Sequence, residues 1–220
     1  MASFSLASNG SAGITYDNAA DGGNNGGSTA TLSYSYTVGS GANRLLVVNL
    51  IGDTAADDIS SVTYGGAPMI FLGKIQAPSA NNWQYLYYLL NPSSGSHNVV
   101  ITAGSSHYLI SQAASWYNVK QTSQPDALTT NVAPTANTSV TTSLTTVAAG
   151  SLVVEGLWSY GHLGAGAGAT AMIIDAAIGG AGIFASSGSP VSPAGNVSMT
   201  TISDGTQSTG VVMASFSPAP

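Results

Sequence analysis

The sequence predicts an all-β protein, a jelly-roll-like antiparallel β-sandwich of about eleven to thirteen short strands with little or no helix. Three observations predict it. No long stretch places apolar residues at i, i+3, i+4 and i+7, and few Glu, Lys or Arg are present to clothe a helix surface. Runs of β-branched and aromatic residues recur along the whole chain. Clusters of Gly, Asn, Pro, Asp and Ser separate those runs at strand-and-turn spacing.

The elements follow in order. Residues 31–38 alternate Leu32, Tyr34, Tyr36 and Val38 against Thr and Ser, the pattern of a half-buried strand. Residues 44–51 (RLLVVNLI) are continuously apolar, which predicts a central strand covered on both faces. Residues 59–64 and 68–75 flank Gly65-Gly66, a hairpin signal because both glycines accept positive φ. Residues 83–90 (WQYLYYLL) form the most apolar strand, and residues 97–102 read as its antiparallel return after the turn at residues 91–95. Residues 107–119 predict one long or bulged strand. Residues 120–137 are polar and carry Pro125 and Pro134, which predicts an extended crossover or weak boundary. Strands follow at 138–147, 151–160, 169–175, 183–185, 196–202 and 210–216, with a flexible Gly/Ala-rich loop at 161–168 that would serve as a mobile arm against a partner. Residues 1–220 are read as one sandwich domain whose first thirty residues form an extended N-terminal arm. No internal repeat stands out.

Composition narrows the function. Hydrophobic residues make up 44% of the 220, enough for a packed core, while charged residues are only 5% against about 25% in an ordinary soluble domain. A surface with few ions loses little hydration on association, which points to extensive contact with other subunits. The net charge is −6, and the only fixed cations are Arg44, Lys74 and Lys120. Three scattered cations cannot neutralise a run of phosphates or an anionic membrane, so neither nucleic acid nor membrane is expected as a partner. There is no cysteine, hence no disulfide framework and no thiolate chemistry. Residues 1–6 lack the basic and apolar regions of a secretory leader, and the expectation is a protein used without such export or one whose leader was replaced. The charge-free stretch between Asp175 and Asp204 is broken by Gly179, Gly180, Gly182, Pro190 and Pro193, so it is not a transmembrane helix.

Several segments occur together in a familiar order. These are NRLLVV (43–48), SVTYGGA (61–67), YYLLNP (87–92) with GSHNV (95–99), ASWYNV (114–119) and VMASF (212–216). In this order, from about Asn43 to Phe216, the chain resembles a jelly-roll-like β-sandwich module of phage virion structural proteins (decoration and fibre proteins) and bacterial surface proteins. The resemblance implies a non-enzymatic role and carries over no catalytic residue.

Residue types able to carry chemistry are few. Glu155, the only glutamate, lies in LVVEGL (152–157) and shares a face with Val153 and Leu157, so an inward carboxyl of raised pKa is expected, in a structural role. A glycosidase needs two facing carboxylates and a serine hydrolase needs an activated nucleophile; neither set can be assembled. His97, His107 and His162 lack metal-ligand spacing and read as structural or exposed. Asp53, Asp57 and Asp58 share one loop and offer hard oxygens to calcium, but a solvated acidic loop is the better reading. GHLGAGAG (161–168) does not open a helix, so it is not a dinucleotide fingerprint. The aromatics Trp83, Tyr85, Tyr87, Tyr88, Trp116, Tyr117, Trp158 and Tyr160 are core by default, or anchors for a glycan or protein surface where exposed.

The expectation is therefore a virion structural protein, such as a capsid decoration (cement) protein or a head or tail fibre subunit, that assembles in the host cytoplasm. Its partners would be itself, as a homotrimer, and a major capsid or tail protein. The alternative is an extracellular carbohydrate-binding or adhesin module. No catalytic, cofactor-binding or metal-binding residue is assigned and no cofactor is expected.

Overall fold

The computed structural model describes residues 13–77, 81–134, 137–160, 164–175, 180–202 and 208–220. All regular structure among them is strand, in 17 segments, and every pairing is antiparallel. The count exceeds the expected eleven to thirteen because residues within the assigned arm and crossover, together with two two-residue pieces, also pair.

The first nine strands are β1 (Thr15–Asn24), β2 (Thr31–Val38), β3 (Leu45–Asp53), β4 (Ile59–Tyr64), β5 (Ala67–Pro68), β6 (Ile70–Ala77), β7 (Asn82–Leu90), β8 (Gly95–Ala103) and β9 (Tyr108–Tyr117). They pair as a nested hairpin, β1 with β9, β2 with β8, β3 with β7, and β4 with β5 at the tip. Alternate pairs fall in opposite sheets, β1-β9-β3-β7-β6 and β2-β8-β4-β5, which is jelly-roll winding. Gly65 and Gly66 turn the tip at φ of 56° and 82°, as their sequence promised. The return at residues 97–102 is a correction: β8 pairs with β2 and β4 in the other sheet, because the turn after Leu90 carries the chain across the core. Residues 15–24, assigned to an arm, instead close the first sheet along β9; their Gly, Asn and Asp content hid an edge strand.

The remaining strands are β10 (Ala127–Ala133), β11 (Ser139–Thr145), β12 (Leu152–Tyr160), β13 (Gly164–Ala165), β14 (Thr170–Asp175), β15 (Gly180–Ser186), β16 (Asn196–Ile202) and β17 (Thr209–Phe216). Their sheets run β10-β17-β12-β15-β14 and β11-β16-β13. This is the order of the first half repeated, with β10 standing for β1, β12 for β3, β14 for β6, β15 for β7 and β17 for β9. Registers agree at the matched positions of the three inner strands, while the two shifts between β1 and β9 have no counterpart between β10 and β17. Leu45 faces Trp116 as Leu152 faces Phe216, and Val47 faces Tyr88 as Val154 faces Ser186. Even the bulge recurs, between Phe71 and Gly73 in β6 and between Ala171 and Ile173 in β14. The chain is thus an internal repeat. The sequence reading missed it because few side chains are shared, as in ASWYNV beside ASFSPA. Residues 127–133, assigned to the crossover, are the second copy's first strand.

The four sheets stack in layers. One core, with Leu46, Val48, Leu50, Tyr36 and Ile101, lies inside the first sandwich. A second, with Val153, Leu157, Met199 and Val211, lies inside the second sandwich. Between them the two larger sheets meet back to back over Leu45, Val47, Leu86, Tyr88, Val154, Phe184, Val212 and Phe216. Strands β3 and β17 are therefore covered on both faces, which accounts for their unbroken apolar runs. At the centre of this junction Asn49 donates to Gln112 at 2.8 Å and accepts from Gln84, and Gly156 passes directly over it. A bridge between Val119 and Pro218, and a bond from Ala219 N–H to Asn118, tie the ends of the two copies together.

Candidate functional site

Each copy carries the same carboxylate clasp. Asp17 accepts from Ser115 Oγ at 2.6 Å, from the Tyr117 hydroxyl and from the Gly39 N–H at 2.9 Å. In the second copy Asp126 accepts from Ser215 and Ser217, which occupy the places of Ser115 and Tyr117, and from Ser151 at 3.3 Å. The neighbouring carboxylate raises the pKa of Tyr117. These acids are saturated with hydroxyl donors and act as latches between each copy's first and last strands.

The acidic loop after β3 is dispersed rather than convergent. Asp57 pairs with Lys74 and accepts from the Tyr85 hydroxyl at 3.0 Å. Asp58 accepts from Ser105 at 2.6 Å and sits 3.7 Å from His107 Nε2. Burial raises the Asp53 carboxyl, opposed by His107. Among the described residues no group of three or more His, Asp or Glu is placed to hold a metal ion. Lys74 also lies over the rings of Phe71 and Trp83, at 5.9 and 5.3 Å from their centroids. Phe71 is 48% exposed and packs edge-on to Tyr87. This edge of the first sheet is an open aromatic ledge with one ion pair.

The remaining sequence candidates scatter. Glu155 is buried between the second copy's sheets, where Thr201 Oγ1 donates to it at 2.8 Å and burial pushes its pKa up to about 7. It stands where the first copy has Val48. Tyr85, Tyr87, Tyr88, Trp116 and Trp158 are core, so both faces of β7 are covered. His97 contacts the Ser94 carbonyl and the Tyr64 ring, and His162 lies outside the described residues. Of the loop at 161–168, Gly164–Ala165 pairs with β16.

A groove of about 330 Å³ opens between the edges of the two large sheets, between Tyr16 and Trp116 on one side and Thr170, Met172, Ser186 and Gly188 on the other. Tyr16 is 54% exposed there. Only Trp116 was singled out from the sequence, since no local motif marks the others. Compared with known proteins, the chain matches no family model, no curated protein and no solved structure.

Proposed function

We propose that this chain is a non-enzymatic structural subunit of a virion, a capsid decoration (cement) protein or a head or tail fibre component, which works through packing against other subunits. The observation that supports the reading best is the pair of jelly rolls joined back to back. Jelly rolls occur in viral capsid and lectin domains. Here the ionisable side chains are few and several are spent on internal latches, leaving a surface of hydroxyls, amides and backbone that costs little to bury. Exposed Ile70, Phe71 and Leu128 on the edge strands β6 and β10 supply an apolar contact. The test is native mass by light scattering, followed by cosedimentation with capsids or tails. A homotrimer, or a monomer retained by such particles, supports the proposal; a monomer with affinity for neither overturns it.

A second reading, a carbohydrate-binding surface module, is favoured by the ledge of Phe71, Lys74 and Trp83, where an exposed ring and an ion pair could engage a sugar face and its hydroxyls. A glycan array would decide it, with Phe71→Ala abolishing any signal this ledge produces.

A further inference from the structure

The groove between Tyr16 and Met172 has a filled twin. By the shared registers, Ser186 occupies the place of Tyr88, Trp116 that of Phe216, and Thr170 that of Ile70. On the filled side the Tyr88 ring packs on Phe216 at 5.8 Å between centroids, and its hydroxyl donates to the Gln124 carbonyl. On the open side a serine and a glycine leave that volume vacant beside Trp116. The fold therefore holds one aromatic ring at this position with its own side chain in one copy and lacks it in the other.

We infer that the open groove is a binding site for a phenolic ring. The ring would pack beside Trp116, tilted as Tyr88 is on Phe216, against the thioether of Met172. Its hydroxyl has Ser186 and Thr170 within the lining as polar partners. The volume lies in the range of small-ligand sites. The ring can arrive as a free phenol or as a tyrosine side chain from another chain. This inference does not rest on the virion reading, and neither outcome of its test bears on particle binding.

The variant that tests it is Ser186→Tyr, which places in this copy the side chain the other copy carries. Gly188 is left alone, because its φ of 75° and the 2.6 Å approach of Thr170 Oγ1 to an added carbon forbid a side chain. p-Cresol is titrated into the full-length protein and followed by tryptophan fluorescence and ligand-observed NMR. The expected result is saturable millimolar binding, weakened at least roughly tenfold in Ser186→Tyr, whose melting temperature rises as the ring fills the groove. Absence of saturable binding by the wild type, or equal binding by a folded variant, overturns the inference, as does binding of glucose in preference to p-cresol. If the variant does not fold, 4-bromophenol soaked into crystals of the wild type decides: bromine density beside Trp116 supports the site, and its absence refutes it. A tyrosine-bearing peptide that binds far tighter than p-cresol identifies a partner chain as the source, and parity between them identifies a free phenol.

Discussion

Glu155 places the chain's only glutamate between two apolar sheets, with one hydroxyl donor from Thr201. Burial lifts its carboxyl to about 7, so the folded chain keeps a proton that the unfolded chain has already lost. Stability accordingly falls as pH rises from the ordinary carboxylate range to about 7, and levels off above it. At roughly 1.4 kcal/mol per unit of displacement, the loss is about 3 kcal/mol at pH 8. Glu155→Gln is expected to melt several degrees above the wild type at pH 8 and at the same temperature near pH 4.5, by differential scanning calorimetry. A difference independent of pH would mean that the carboxyl reaches water. The inward direction of Glu155 was legible from its alternation with Val153 and Leu157. The latches were not, since Asp17 and Ser115 are brought together only by strand pairing. Asp126→Ala strips acceptors from Ser215, Ser217 and Ser151, and is expected to lower the urea midpoint by the equivalent of about 2–4 kcal/mol.

Strand identity was readable because the side-chain period is a local property. The bounds of β2 and β16 match the sequence reading, and the two-sided burial of β3 follows from its unbroken apolar run. Strand partners were not readable. The chain after Leu90 can fold back on β7 or cross to β2 with the same turn residues, and only the completed core selects the crossing. The same limit hid β1 and β10, edge strands whose polar side chains carry little period-two contrast. Where β12 crosses β3, contact is close enough to demand glycine: a side-chain carbon on Gly156 would lie 2.0 Å from Asn49 Oδ1 and 2.8 Å from the Leu86 side chain. Gly156→Ala is expected to cost about 1–3 kcal/mol in chemical denaturation, through displacement of the Asn49–Gln84–Gln112 group. A neutral outcome would show that the two large sheets can separate there without penalty.

Across the whole molecule, the two copies rely on one another. Residues 13–120 alone would leave Leu45, Val47, Leu72, Leu86, Tyr88 and Trp116 bare on one face. That fragment is expected to self-associate or aggregate in light scattering while the full chain stays dispersed; a stable monomeric fragment would show the junction to be dispensable. The nested pairing also sets a timetable. In each copy the first strand waits for the last, so the first sandwich closes only once β9 has left the ribosome. Its junction face then waits for β17, which ends at Phe216, about a hundred residues later. At bacterial or eukaryotic elongation speeds that wait lasts roughly 5–20 s. During it a nascent sandwich presents an apolar wall able to accept the wall of a neighbouring nascent chain on the same polysome. Synthesis rate and chaperone supply, rather than the stability of the finished stack, then govern the yield of correctly paired molecules.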